Sequence, residues 1–71
     1  MRFSNLEAEI KRAGMSVETF AKEIHLEKVT MYNRLKGKTK WTLSDMVSIQ
    51  KYLNNKTSQN LTLDYLFHID K

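Results

Sequence analysis

The stretch that decides the fold is Phe20–Gly37, "FAKEIHLEKVTMYNRLKG". Taken with Val17 just before it, Phe20, Ala21 and Ile24 fall at i, i+3, i+4 and i+7, which is one face of a helix. "HLE" (His25–Glu27) then breaks the pattern. Spacing resumes from Lys28, where Met31 and Leu35 at i, i+4 can anchor a further helix on the core. That helix is expected to run to about Lys36 and to stop at Gly37. At roughly 100° per residue, Lys28, Val29, Tyr32, Asn33 and Lys36 form one contiguous face. This face mixes an amide, an aromatic hydroxyl, a pair of β-branched methyls and two cations. A purely solvated face more often carries Glu/Lys pairs and no Val. The inventory suits a DNA major groove instead. Asn can bond bidentately to adenine, Lys can donate to guanine, and Val or Tyr carbons can meet a thymine methyl.

Outward from this centre, the rest of the chain is also helical in its spacing. Phe3, Leu6, Ile10 and Ala13 make one stripe of a first helix. Gly14 suits the left-handed residue that ends it, and Ser16 can cap the second helix, with Glu18 in its first turn. Thr42, with Asp45 three residues on, has the form of a capping box and opens a fourth helix to about Leu53. Leu43, Met46, Ile49 and Leu53 form its expected buried face, with Gln50 among them. "NNKTSQN" (Asn54–Asn60) is expected to be a polar loop, before a short final helix over about Leu63–Phe67. Asp45 and Asp64, at helix starts, read as caps, and Met15, Met31 and Met46 as core filler. No convincing strand is present, so the expected fold class is all-α, with five helices in one domain over residues 1–71.

Charge is concentrated around the same centre. The formal net charge is +4. Residues 22–40 hold six Lys or Arg against two Glu, which accounts for all of it. Within that segment "NRLKGKTKW" (Asn33–Trp41) places a cation at every second residue: Arg34, Lys36, Lys38 and Lys40. A localised basic segment is the footprint of a polyanion partner, although lysines also favour helix C-termini through the macrodipole. Several classes are disfavoured. The chain has no Cys, so disulfide frameworks, thiolate metal clusters and thiol nucleophiles are out. His25 and His68 lack metal-ligand spacing, and no cofactor is implied. No nucleophile with its base, oxyanion hole or phosphate cradle is visible, so neither an enzyme nor a small-molecule substrate is expected. No apolar run is long enough to span a bilayer, which makes a soluble intracellular protein the expectation.

The residues from Phe20 to Gly37, followed by "KTKWTLSDMVSIQKYL" and "LTLDYLF", resemble the Cro/repressor-like (XRE, lambda-repressor-like) helix-turn-helix family of phage and bacterial regulators. Small Ala21 stands where the two motif helices approach, and apolar Met31 lies ten residues on. The resemblance covers nearly the whole chain, and "RLKGKTKWTLSDM" is its most specific part. It implies a compact five-helix domain with the motif at about residues 17–36, whose third helix enters the major groove. It also implies a cytoplasmic, phage- or bacterially encoded regulator of transcription, and the short C-terminus points to a Cro-type repressor. Carried over to this chain, the base-reading candidates are Lys28, Val29, Tyr32 and Asn33. The phosphate-backbone candidates are Ser16, Thr19, Thr30, Lys36, Lys38, Thr39 and Lys40. The implied partner is double-stranded operator DNA, bound as a homodimer. The surface expected to pair two copies is C-terminal, around Leu61, Phe67 and Ile69, where apolar residues exceed what a thin core needs.

Two departures stand out. His25 occupies the turn position that is commonly Gly, and Glu27 replaces the usual Ser/Thr cap of the third helix. Histidine tolerates positive φ better than bulkier residues, and a Glu there is a weak cap with a favourable charge. Trp41 reads as a core or rim residue, ahead of a DNA contact. The alternative from another class is a protein-interaction module, an antitoxin or adapter that offers its basic face to an acidic partner.

Overall fold

Ser16, Thr42 and Thr62 each accept a hydrogen bond from the backbone N–H three residues ahead, at 3.1–3.2 Å. Each satisfies one of the donors that a helix start leaves orphaned, and so fixes where a helix begins. In the computed structural model, which describes residues 3–69, five helices follow in order. They are α1 (Ser4–Arg12), α2 (Val17–Glu23), α3 (Lys28–Leu35), α4 (Leu43–Thr57) and α5 (Leu63–Leu66). The described residues contain no strand. The protein is all-α, as its spacing predicts.

Helix ends are as local as the starts. After α1, Gly14 N–H bonds Lys11 O and Met15 N–H bonds Ile10 O, with Gly14 at φ +80°. After α2, His25 N–H bonds Lys22 O and Leu26 N–H bonds Ala21 O, with His25 at φ +62°. After α3, Gly37 N–H bonds Arg34 O and Lys38 N–H bonds Asn33 O, with Gly37 at φ +80°. The same left-handed closure, the Schellman motif, thus ends three successive helices. At the second of them histidine does what glycine does at the other two.

Phe3, Leu6 and Ile10 of the first segment, Phe20 and Ala21 of α2, and Met31 and Leu35 of α3 meet Ile49, Leu53 and Leu66 in one buried cluster. Phe3, Trp41 and Phe67 stack edge-to-face at 5.2–6.4 Å, which closes the core beside the α3–α4 loop. Trp41 is half-buried there, a rim position. Met31 lies fully in the core, and Met15 and Met46 are partly buried. Glu9 is buried on α1, where Tyr65 donates to its Oε2 at 2.8 Å and Arg12 lies 3.7 Å away, tying α1 to α5.

Three expectations need correction. Helix α4 continues to Thr57, through residues whose polarity suggests a loop. The Asn54 side chain accepts from Leu61 N at 2.8 Å and donates to Leu61 O at 3.3 Å, and Thr57 donates to Leu53 O at 2.7 Å. The polar residues therefore hold the next segment against the helix, which ends only where Ser58 turns left-handed at φ +54°. Gln50 has the same role, donating to Leu61 O at 2.9 Å. Leu43 is 65% exposed and not on the buried face. As the first helical residue it lies about 120° around the axis from Ile49, beyond the neighbouring helices. Asp45 and Asp64 are not the caps either. The threonines are, and the acids stand in the first turns.

Candidate nucleic-acid interface

The burial of Met31 and Leu35 orients α3, and its other residues take what is left. Lys28, Val29 and Lys36 are exposed, Val29 at 66%, while Thr30, Tyr32 and Asn33 are half-buried. Tyr32 and Lys36 also line a small cavity of about 160 Å³ with Leu35 and with Glu7 of α1. Lys28, Val29 and Lys36 thus share an outward surface, with half-buried Tyr32 and Asn33 on the same face. No side-chain cap bond holds Glu27, the residue that precedes α3.

At the front of this surface Lys28 does not stand alone. Its Nζ lies 2.9 Å from Oε1 of Glu18 on α2. The bond and the opposite charge hold the Glu18 carboxyl below its ordinary range and push the Lys28 ammonium above its own. Ser16 and Thr19, the backbone candidates on α2, are both exposed and linked by a 3.0 Å hydroxyl–hydroxyl bond. The Glu18–Lys28 pair connects them to α3. Sequence reading places Glu18 only in the first turn of α2, because nothing local reveals a partner on the next helix.

The cationic run divides in two. Arg34 forms an ion pair with Asp45 of α4, and its guanidinium lies 5.7 Å over the Trp41 ring. Its side chain is only 15% exposed. Asp45 is held below its ordinary range by that guanidinium, with the Thr42 hydroxyl adding to the effect and burial opposing it. Arg34 therefore fastens α3 to α4. Lys36, Lys38, Thr39 and Lys40 are exposed in the loop that this fastening spans. Lys38 is further fixed by its backbone bond to Asn33, so the loop leaves α3 in one direction. Among the described residues, Lys36, Lys38 and Lys40 form no ion pair.

Behind the loop lies an apolar cavity of about 330 Å³, whose lining includes Phe3, Trp41, Met46, Phe67 and Ile69. Of the residues expected to pair two copies, Ile69 is exposed, whereas Leu61 and Phe67 are half-buried against the core. No group of His, Cys, Asp or Glu among the described residues is arranged to hold a metal ion. No helix among them is long and apolar enough to cross a membrane. No protein-family model matches the chain, and neither does any curated protein or any solved structure.

Proposed function

We propose that this chain is a sequence-specific double-stranded DNA-binding regulator of transcription, a Cro-type repressor with a lambda-repressor-like helix-turn-helix. In this reading α2 and α3 are the motif and α3 lies in the major groove. The observation that carries the reading is Val29, 66% exposed beside exposed Lys28 and near half-buried Asn33, on a helix whose other aliphatic residues, Met31 and Leu35, are buried. An exposed aliphatic side chain amid donors has an obvious counterpart in a base edge that pairs a methyl with polar atoms. Lys28, Val29, Asn33 and Tyr32 read bases. Ser16, Thr19, Thr30, Lys36, Lys38, Thr39 and Lys40 hold phosphates, which set register and orientation without reading sequence.

Dimensions add a second element. The fold measures 30 × 24 × 21 Å, and successive half-sites on one face of B-DNA lie roughly 34–36 Å apart. One copy covers one half-site, and a homodimer covers an operator. Exposed Ile69, beside the apolar cavity at Phe67, offers a surface for that pairing.

Selecting bound duplexes from a random pool, at a stated salt concentration, tests the reading. It expects a defined motif, arranged as two related half-sites about one helical turn apart. Recovery of random sequences, with an acidic protein partner binding better than any duplex, would favour the interaction-module alternative.

A further inference from the structure

Lys28 differs from every other exposed cation on the proposed DNA face. Lys36, Lys38 and Lys40 are unpaired among the described residues, while Lys28 Nζ is 2.9 Å from Glu18 Oε1. Both side chains are more than half exposed, so the pair lies at the surface where a ligand would arrive. Its geometry comes from the fold. Glu18 is the second residue of α2, Lys28 is the first of α3, and the two helices pack on each other through Phe20, Ala21 and Met31.

The chemistry of this arrangement is asymmetric. An ammonium has three donors, of which Glu18 occupies one. The remaining donors can still meet the O6 and N7 acceptors of a guanine. Towards a phosphate the outcome is different, because the carboxylate repels whatever the ammonium attracts and the pair carries no net charge. Nonspecific DNA binding rests almost wholly on phosphate attraction and counterion release. Lys28 therefore adds little to nonspecific binding, yet it can add fully to a complex in which a base edge is presented to it. Discrimination is a difference of affinities, and lowering the competitor's affinity raises it as surely as improving the target's.

We propose that Glu18 is a specificity-determining positioning residue, which neutralises and aims Lys28 so that Lys28 reads a base edge and does not serve as a phosphate anchor. This rests on the DNA-binding reading above. It assigns to α2 a role in discrimination beyond contact with the backbone.

The test uses the whole chain, as wild type, Glu18→Gln, Lys28→Gln and the double variant. Each is titrated with the selected duplex and with a scrambled duplex of equal length at several salt concentrations, and circular dichroism checks the fold. Glu18→Gln frees Lys28 to neutralise a phosphate, so its scrambled-duplex slope of log K against log salt should steepen by about 0.9. Scrambled-duplex affinity should rise on the order of tenfold at about 50 mM salt, and the selected duplex should gain less. The selected-to-scrambled ratio should accordingly fall several-fold. In the Lys28→Gln background the same Glu18→Gln change should leave the slope unaltered. Equal gains on both duplexes with or without Lys28 would mean a general charge effect and would overturn the proposal. So would an unchanged ratio in Glu18→Gln with wild-type selectivity intact. If the wild type itself shows no selectivity for any duplex, the DNA-binding reading fails first, and this inference fails with it.

Discussion

Replacing Asp45 with Asn removes one charge from the Arg34–Asp45 pair while keeping the side-chain shape. Arg34 is 15% exposed and Asp45 31% exposed, so the pair is neither a free surface contact nor a dry interior one. Exposed pairs contribute about 0–1 kcal/mol, and breaking a fully buried one costs about 3–5 kcal/mol. An intermediate site losing charge but keeping an acceptor should cost about 1–2 kcal/mol. With a urea dependence near 1 kcal/mol per molar for so short a chain, the unfolding midpoint should fall by about 1–2 M. Trp41 is the single tryptophan and lies directly under the Arg34 guanidinium, so its fluorescence reports the transition at the site itself. The pH dependence has a definite sign. The Asp45 pKa is depressed in the folded state, chiefly by Arg34, so its contribution is present above the unfolded value. It is lost as pH falls from about 4 through the folded pKa. The gap between wild type and Asp45→Asn should therefore be widest near neutrality and should close in acid. A midpoint shift below about 0.2 M near neutral pH, or a gap that persists undiminished in acid, would refute the assignment of Arg34 as the α3–α4 fastener.

Other expectations follow from the same geometry. Asn33→Ala should weaken the selected duplex by about 1–3 kcal/mol and relax preference at one base pair, read by competition against single-position variants of the duplex. Lys38→Ala with Lys40→Ala should lower the salt slope by about 0.9 per contact and weaken selected and scrambled duplexes alike, with little change in melting temperature. If these lysines serve only the helix dipole, the melting temperature drops slightly and the slope does not move. His25→Val should cost about 1–3 kcal/mol in a thermal melt, because φ +62° is a true outlier for a β-branched side chain.

What was legible in the sequence was local chemistry. Ser16 and Thr42 cap helices through the N–H three residues on, and Gly14 and Gly37 close them with positive φ. These are decisions made within four residues, so composition and spacing reveal them. Even the histidine at the α2–α3 turn is readable, since only its own backbone angle is at stake. Two departures are local, Leu43 by its angle around α4 and the acids by the threonine caps beside them, whereas the length of α4 depends on a partner beyond its end. Asn54 reads as a loop residue, and Gln50 as a polar residue on a buried face, until Leu61 is placed beside both of them. At the candidate site a 3.6-residue period places Lys28, Val29 and Lys36 on an exposed face, while Tyr32 and Asn33 on that face are half-buried. Its electrostatics were not. The alternating run of four cations reads as one basic track, but Arg34 turns inward to Asp45, eleven residues away, and Lys28 is held by Glu18 on another helix. Charge counting locates the basic segment, and tertiary pairing decides which of its charges a polyanion can use.

The proposal that α3 docks in a DNA groove is tested most directly by mapping where DNA touches the chain. Uniformly 15N-labelled protein is titrated with a duplex recovered by selection, and backbone amide shifts are followed residue by residue. Large shifts should gather at Ser16–Thr19 and from Lys28 through Lys40, with side-chain amide changes at Asn33. A scrambled duplex should perturb the lysine loop but leave Val29 and Asn33 close to their free positions. Shifts confined to the surface around Phe67 and Ile69, or identical patterns with selected and scrambled duplexes, would contradict the proposal.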